Sequence, residues 1–147
     1  EVSTLDDSIY DHPFQWGSKR TGPDLARVGG KYPHMWHYQH MLDPRQISPG
    51  SNMPTYPHLL DGLIDFGATA SKLSAMQVVG VPYSDEQIVA ARDTAQKEAD
   101  AIAANLKEEG GVDVAPDSEM VALIAYLQRL GKPTEPNVSL PAPVARG

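Results

Sequence analysis

Three histidines at three-residue intervals and one methionine set among stiffening residues are the side chains in this sequence with metal-binding chemistry to offer. His34, His37 and His40 lie in H34-M-W-H-Y-Q-H-M-L42, and imidazole nitrogen is a common ligand for zinc, copper and iron. On a helix at about 100° per residue, His34 and His40 stand roughly 120° apart, so three rings meeting at one ion would require the helix to break, although two could converge. Ordinary packing or surface histidines are the plainer alternative. Met53 sits in S51-N-M-P-T-Y-P57. Pro54 fixes its own φ and restrains the residue before it, which narrows the conformations open to Met53. A gap-filling methionine gains from flexibility, so a stiffened one suggests a sulfur wanted in one place. A mononuclear copper or zinc site using His34, His37 and Met53 is one such use.

Other chemistries find less support. Adjacent carboxylates at Asp6 and Asp7, or at Glu108 and Glu109, do not face a shared point, and their charged flanks mark them as solvated. No catalytic residue is assigned. There is no G-x-S-x-G, Walker loop or H-E-x-x-H, and the glycines of V28-G-G-K31 are more simply a turn than a phosphate cradle.

The elements that must position these residues follow from punctuation and periodicity. With 147 residues, 41% hydrophobic, 13 prolines and 12 glycines, the chain has enough for one domain with much irregular structure. Residues 1–32 show no sustained period and read as structured loop. Pro33 suits the first position of a helix that stops at Asp43-Pro44, and an extended loop carrying Met53 follows to Asp61. A short helix, T69-A-S-K-L-S-A-M-Q-V-V-G80, has Thr69 as its expected cap. The strongest helix signal runs from Tyr83 to Glu109: Ser84 and Gln87 fit a capping box, and Gly110-Gly111 end it. Its stripe of Ile88, Ala91, Ala95, Ala99, Ile102 and Leu106 predicts a helix covering a core from outside, with a solvent-spanning charged helix as the alternative. The last helix begins near Asp117 and presents Met120, Leu123, Ile124, Leu127 and Leu130 as a broad core face, ending at Gly131. The organisation expected is a domain over residues 1–131 and a Pro-rich extended tail over 132–147.

A net charge of −7 with scattered basic residues argues against nucleic acid and for a cationic partner face. No run approaches the roughly 18–20 apolar residues of a membrane span, and no signal peptide opens the chain, which is expected to be soluble as given. Cysteine is absent, so disulfides, thiolate metal sites and thioether links to haem are excluded within these residues.

T21-G-P-D-L25, Met53-Pro54 and A122-L-I-A-Y-L-Q-R-L130 stand in an order that resembles class I cytochromes c. There a glycine-proline-polar-leucine loop follows the C-x-x-C-H haem-attachment motif, a later methionine supplies an axial ligand, and an aliphatic-aromatic signature marks the last helix. The longer run Y10-D-H-P-F-Q-W-G-S-K-R-T-G-P-D-L-A-R-V-G-G-K-Y32, with W36-H-x-x-H-M-L-D-P-R45, N52-M-P-T-Y-P57 and V79-G-V-P-Y-S-D-E86, resembles the membrane-anchored monohaem cytochrome c subunit, subunit II, of cbb3-type haem-copper oxidases. The likeness is close from Tyr10 to Leu60, looser from Lys72 to Leu130 and absent in the tail, and residues 88–116 are longer and more charged than the family suggests.

That resemblance implies an all-α fold of class I cytochrome c-like helices with long loops, plus an extended charged helix. It implies haem c in the parent protein, not covalently attachable to this chain, with Met53 as the metal ligand. Pro54 would hold the Met53 loop, Pro23 would orient a proximal histidine and Leu25 would pack on the porphyrin. Trp36, Arg45 and Tyr56 would contact the haem edge or its propionates, unless they serve packing or partner contacts. The implied role is electron relay, without substrate chemistry, from a companion cytochrome c subunit to the catalytic oxidase subunit, at the periplasmic face of the bacterial inner membrane. Lys19-Arg20 would face a partner subunit.

Family members carry a transmembrane helix and C-x-x-C-H upstream of the Y-D-H-P segment, and neither is in this chain. A C-terminal fragment beginning after the attachment site is the simplest expectation, with contact to the membrane only through the absent anchor or the complex. A variant that has abandoned haem, or attachment from a separate polypeptide, are the others. Self-association through the exposed haem face is expected of such a fragment. The rival from another class is a haem-free structural or interaction module docking on a membrane complex.

Overall fold

Pro33 and Ser84 cap helices, Pro44 opens one and Gly111 closes one, so the punctuation of the sequence is visible in the architecture. The computed structural model describes residues 22–132. In chain order its helices are α1 (His34–Leu42), α2 (Pro44–Ile47), α3 (Thr69–Val78), α4 (Asp85–Gly110) and α5 (Glu119–Arg129), with 3₁₀ turns at Pro57–Leu60 and Phe66–Ala68. Among the described residues there is no strand, only an antiparallel bridge between Leu63 and Ser118. This is the helical architecture expected. The tail beyond Lys132, the residues before Gly22 and the pair Lys19-Arg20 lie outside the described residues.

Helix α1 starts one residue later than the sequence suggests. Pro33 has the helical φ of −67° but an extended ψ of 163°, so it caps α1 instead of beginning it. At the other end Asp43 is extended, as a residue before proline prefers, and its carboxylate accepts from the Arg45 amide at 3.1 Å to start α2. Thr69 is likewise the first residue of α3 and not its cap: the Phe66–Ala68 turn feeds straight into the helix, and the capping carboxylate is Asp65, which accepts from Gly67 N at 2.8 Å.

Helix α4 is 26 residues long, about 39 Å at 1.5 Å per residue. Its capping box is complete, with the Ser84 hydroxyl accepting from Gln87 N and the Gln87 side chain accepting from Ser84 N. Gly111 closes it in the left-handed region at φ 64°, where a side chain would be strained. The alanine-rich stripe is buried at Ala91, Ala99, Ile102 and Leu106 and half-buried at Ile88 and Ala95. It packs against α1, α3 and α5, so the helix covers a core and does not span solvent.

Helix α5 supplies the centre of that core. Met120, Val121 and Ile124 are fully buried and Leu127 nearly so, whereas Leu123 and Leu130 are only half-buried. The core-facing stripe thus includes Val121 beside Met120, and Ser118, itself fully buried, caps the helix by accepting from Val121 N at 3.3 Å. Met120, Val121 and Ile124 form one apolar cluster with Tyr38 of α1, Ala99, Ile102 and Leu106 of α4, and Val114. Full burial of a side chain of this size contributes about 1.5–3 kcal/mol.

Two close approaches bring the remaining elements onto this core. A Cβ at Gly110 would lie 2.5 Å from the Met35 sulfur, so the end of α4 lies directly against α1 and a side chain there would displace the flexible Met35 thioether. A Cβ at Gly29 would meet the Leu130 and Gln128 carbonyl oxygens at 2.5 and 2.6 Å, so the loop before α1 lies directly against the end of α5.

Candidate functional site

The loop from Gly22 to Tyr32 is held by α5 through a reciprocal clamp. The Gln128 side chain accepts from Gly30 N at 2.8 Å and donates to Tyr32 O at 2.8 Å, while Gly29 N donates to Leu130 O at 2.9 Å. On the opposite side, the Met53 loop is tied to the end of α1 by the Tyr56 amide, which donates to Met41 O at 2.8 Å. Within that loop Met53 N donates to Ser51 Oγ at 3.2 Å, and Met53 itself is half-buried.

Between these two loops, α1 and α5 lies a cavity of about 700 Å³, within the roughly 300–1,000 Å³ usual for small-molecule and cofactor sites. Pro23, Leu25 and Val28 come from the first loop, Met53 from the second, and Leu127 from α5; α1 contributes Trp36, His37, His40 and Met41. Leu25 is half exposed, an apolar side chain without a full set of neighbours. Gly22, Asp24, Arg27, Lys31 and Tyr32 complete the lining.

The α1 wall is aromatic and ordered. Tyr32 stacks on Trp36 with ring centres 4.0 Å apart, Trp36 stacks on His40 at 4.6 Å, and His37 meets Trp36 edge-on at 5.3 Å. Such contacts contribute roughly 0.5–1.5 kcal/mol each beyond area burial and hold the rings at fixed angles. His37 is 1% exposed, yet its Nε2 has no hydrogen-bond partner, and the buried Nδ1 of His40 has none either. Burial pushes the His37 imidazole below its ordinary pKa, and the neighbouring His34 and His40 rings add to the shift, so the ring is held neutral.

The structure separates the three histidines. The Nδ1 of His34 is 2.7 Å from Asn105 Oδ1 on α4, and His34 borders a second, more polar recess with Asn105, Glu109 and Gln128. His37 and His40 border the main cavity with Met53. Among the described residues no group of three or more His, Cys, Asp or Glu side chains could hold a metal ion. Of the other residues predicted for the site, Pro23, Leu25, Trp36 and Met53 come together, while Arg45, Pro54 and Tyr56 are not in the cavity wall. Arg45 is exposed on α2, and the Tyr56 ring lies 6.0 Å from His58.

The wall also includes residues that the sequence did not single out for it: Arg27, Val28, Lys31, Tyr32, Met41 and Leu127. Arg27 and Lys31 follow Leu25 of the Gly-Pro-Asp-Leu segment by two and six residues in the same loop, and that proximity was the available signal. Aliphatic side chains, a sulfur, an aromatic stack, two cationic side chains and unmatched imidazole nitrogens suit a flat apolar ring bearing acidic groups and a thioether-binding metal. Haem fits that description, although thioether attachment cannot come from these residues, which include no cysteine.

Comparison with known families gives a match over residues 1–134 to the family described as "Cytochrome C oxidase, mono-heme subunit/FixO". No individual curated protein matches the chain. Among the described residues no helix is long and apolar enough to cross a membrane.

Proposed function

We propose, from the premise that this chain belongs to the mono-haem (FixO) subunit family of the cytochrome c oxidases, that it relays electrons in a cbb3-type terminal oxidase and that Met53 is an axial ligand of the haem iron. One observation supports this above the others: the Gly22–Leu25 loop and Met53, distant in sequence, border the same cavity. Haem supplies one-electron redox chemistry there, at a potential that histidine–methionine ligation raises. Leu25, Val28, Leu127 and Trp36, which line the cavity, would hold the ring, and Pro54 with the Ser51 hydroxyl restrains the Met53 backbone. Electrons enter from a companion cytochrome c subunit and leave to the catalytic subunit, at the periplasmic face of the bacterial inner membrane.

The decisive experiment places Met53→Ala in the haem-loaded subunit carrying this sequence. The methionine-to-iron charge-transfer band is expected to vanish and the potential to fall by on the order of 0.1 V, within the roughly 0.8 V that axial ligands command. An unchanged band and potential would remove Met53 from the iron.

The second reading, a haem-free docking module, draws on a different region. Val78 and Val79 at the end of α3 and Val89 in the second turn of α4 are 86%, 75% and 83% exposed, apolar side chains that a docking partner could cover. Failure of the chain to bind haemin, with retained binding to the oxidase complex, would favour it.

A further inference from the structure

His37 and His40 present a problem that the iron alone does not solve. A buried polar atom without a partner costs roughly 1–3 kcal/mol, and native structures leave few such atoms unexplained. Here two occur one turn apart on α1, on side chains that border the same cavity. Axial ligation opposite Met53 could use one of these nitrogens and would leave the other stranded. A ligand with two acceptor groups along one edge could use both.

The charge along the wall indicates the sign of those groups. Arg27 and Lys31 border the cavity against a single carboxylate, Asp24, whose Oδ1 already accepts from Ala26 N at 2.9 Å. The Lys31 ammonium lies 5.2 Å from the centre of the Tyr32 ring, which begins the Tyr32–Trp36–His40 stack. Cations and imidazole nitrogens therefore share one wall with an aromatic surface. An imidazole carries at least one N–H whatever its protonation state, so each ring can turn a donor toward an incoming carboxylate.

We propose that His37 and His40, with Lys31, bind the two carboxylate groups of a porphyrin at this cavity, as hydrogen-bond donors and not as iron ligands. This rests on the haem reading above and adds to it the residues that set the ring's orientation. It also gives the cavity a specificity rule: the diacid porphyrin is accepted, and the same ring without free carboxylates is not.

The test uses the full chain and two pairs of ligands. Haemin is compared with haemin dimethyl ester by its Soret spectrum, and metal-free protoporphyrin with its dimethyl ester by quenching of tryptophan fluorescence. In each pair the diacid is expected to bind at least about tenfold more tightly, since a hydrogen bond to a charged group is worth roughly 1.5–3 kcal/mol. The His37→Ala/His40→Ala double variant should lose that preference, and His37→Gln, which keeps a donor, should retain part of it. The Met53-dependent features of the haemin spectrum should persist in both. Equal affinity for diacid and diester in the unaltered chain overturns the proposal without needing any variant. A change in the iron-coordination features of the haemin spectrum in His37→Gln overturns it too, by making His37 an iron ligand. If haemin binds with a Met53-dependent spectrum but without preference for free carboxylates, the haem reading stands and this one falls. If no porphyrin binds, both fall.

Discussion

Ser118 and His37 are both buried polar side chains, 0% and 1% exposed, and they have been treated in opposite ways. Ser118 pairs with Leu63 in the bridge at the start of α5, its hydroxyl caps α5, and its backbone N donates to Ala115 O at 3.0 Å. His37 borders the cavity and leaves Nε2 unmatched. The difference separates two tasks within a small domain. The α4–α5 side is apolar and, among the described residues, leaves no buried side-chain polar atom without a partner, and it provides stability. The α1 side keeps polar capacity in reserve, at a cost that a bound ligand can recover.

The comparison breaks most severely at Ile124, which is fully buried in the α4–α5 cluster. Ile124→Ala is expected to cost about 2–5 kcal/mol, read as a drop in the thermal or denaturant midpoint; a loss below about 1 kcal/mol would mean that this side is not the stabilising one. Gly29→Ala acts on the seam between the sides, where its Cβ would meet backbone oxygens of Gln128 and Leu130. Overpacking of this kind costs roughly 1–3 kcal/mol, and the cavity should lose porphyrin affinity along with stability, whereas Ile124→Ala loses mainly stability.

Acidification gives the smallest effect and sharpens the comparison at its other end. The His37 pKa is lower in the folded chain than in the unfolded one, principally through burial. As pH falls below the ordinary value of 6.5, the unfolded chain therefore takes up a proton that the folded chain refuses. The stability from this group is complete above that pH and is lost as pH falls through the folded value, with a slope of at most about 1.4 kcal/mol per pH unit. Urea midpoints measured from pH 7 downward should show this loss, and His37→Gln should flatten it.

Local chemistry was legible where it is short-ranged. The Ser84–Gln87 capping box and the Gly110-Gly111 stop depend on neighbouring residues, and both ends of α4 stand where they predict. The Gly-Pro-Asp-Leu loop and the Met53 loop were recognisable as partners, and both border the cavity. The angular spread of the histidines also carried over: His34 turns to Asn105 while His37 and His40 border the cavity. What the sequence could not show was that two imidazole nitrogens would be enclosed without partners, because that enclosure depends on tertiary contacts. Arg45 was similarly opaque, since the turn at Asp43-Pro44 sends α2 off on a new course and leaves it exposed. Val121 escaped notice because the apolar run of α5 allows more than one inward register, and tertiary packing selects the one that buries Val121 and leaves Leu123 half-buried.

The Gln128 clamp on Gly30 and Tyr32 has a consequence for the order in which the molecule is made. Its two hydrogen bonds join residues separated by 98 and 96 positions along the chain, among the longest loop closures that this domain requires. Contacts of such sequence separation are entropically costly and tend to form late. Synthesis runs from the N-terminus, so the Gly22–Tyr32 loop leaves the ribosome long before the glutamine that fixes it. Through most of translation the cavity therefore lacks one wall, and a nascent chain released before α5 is complete would have a methionine loop with no finished pocket to face.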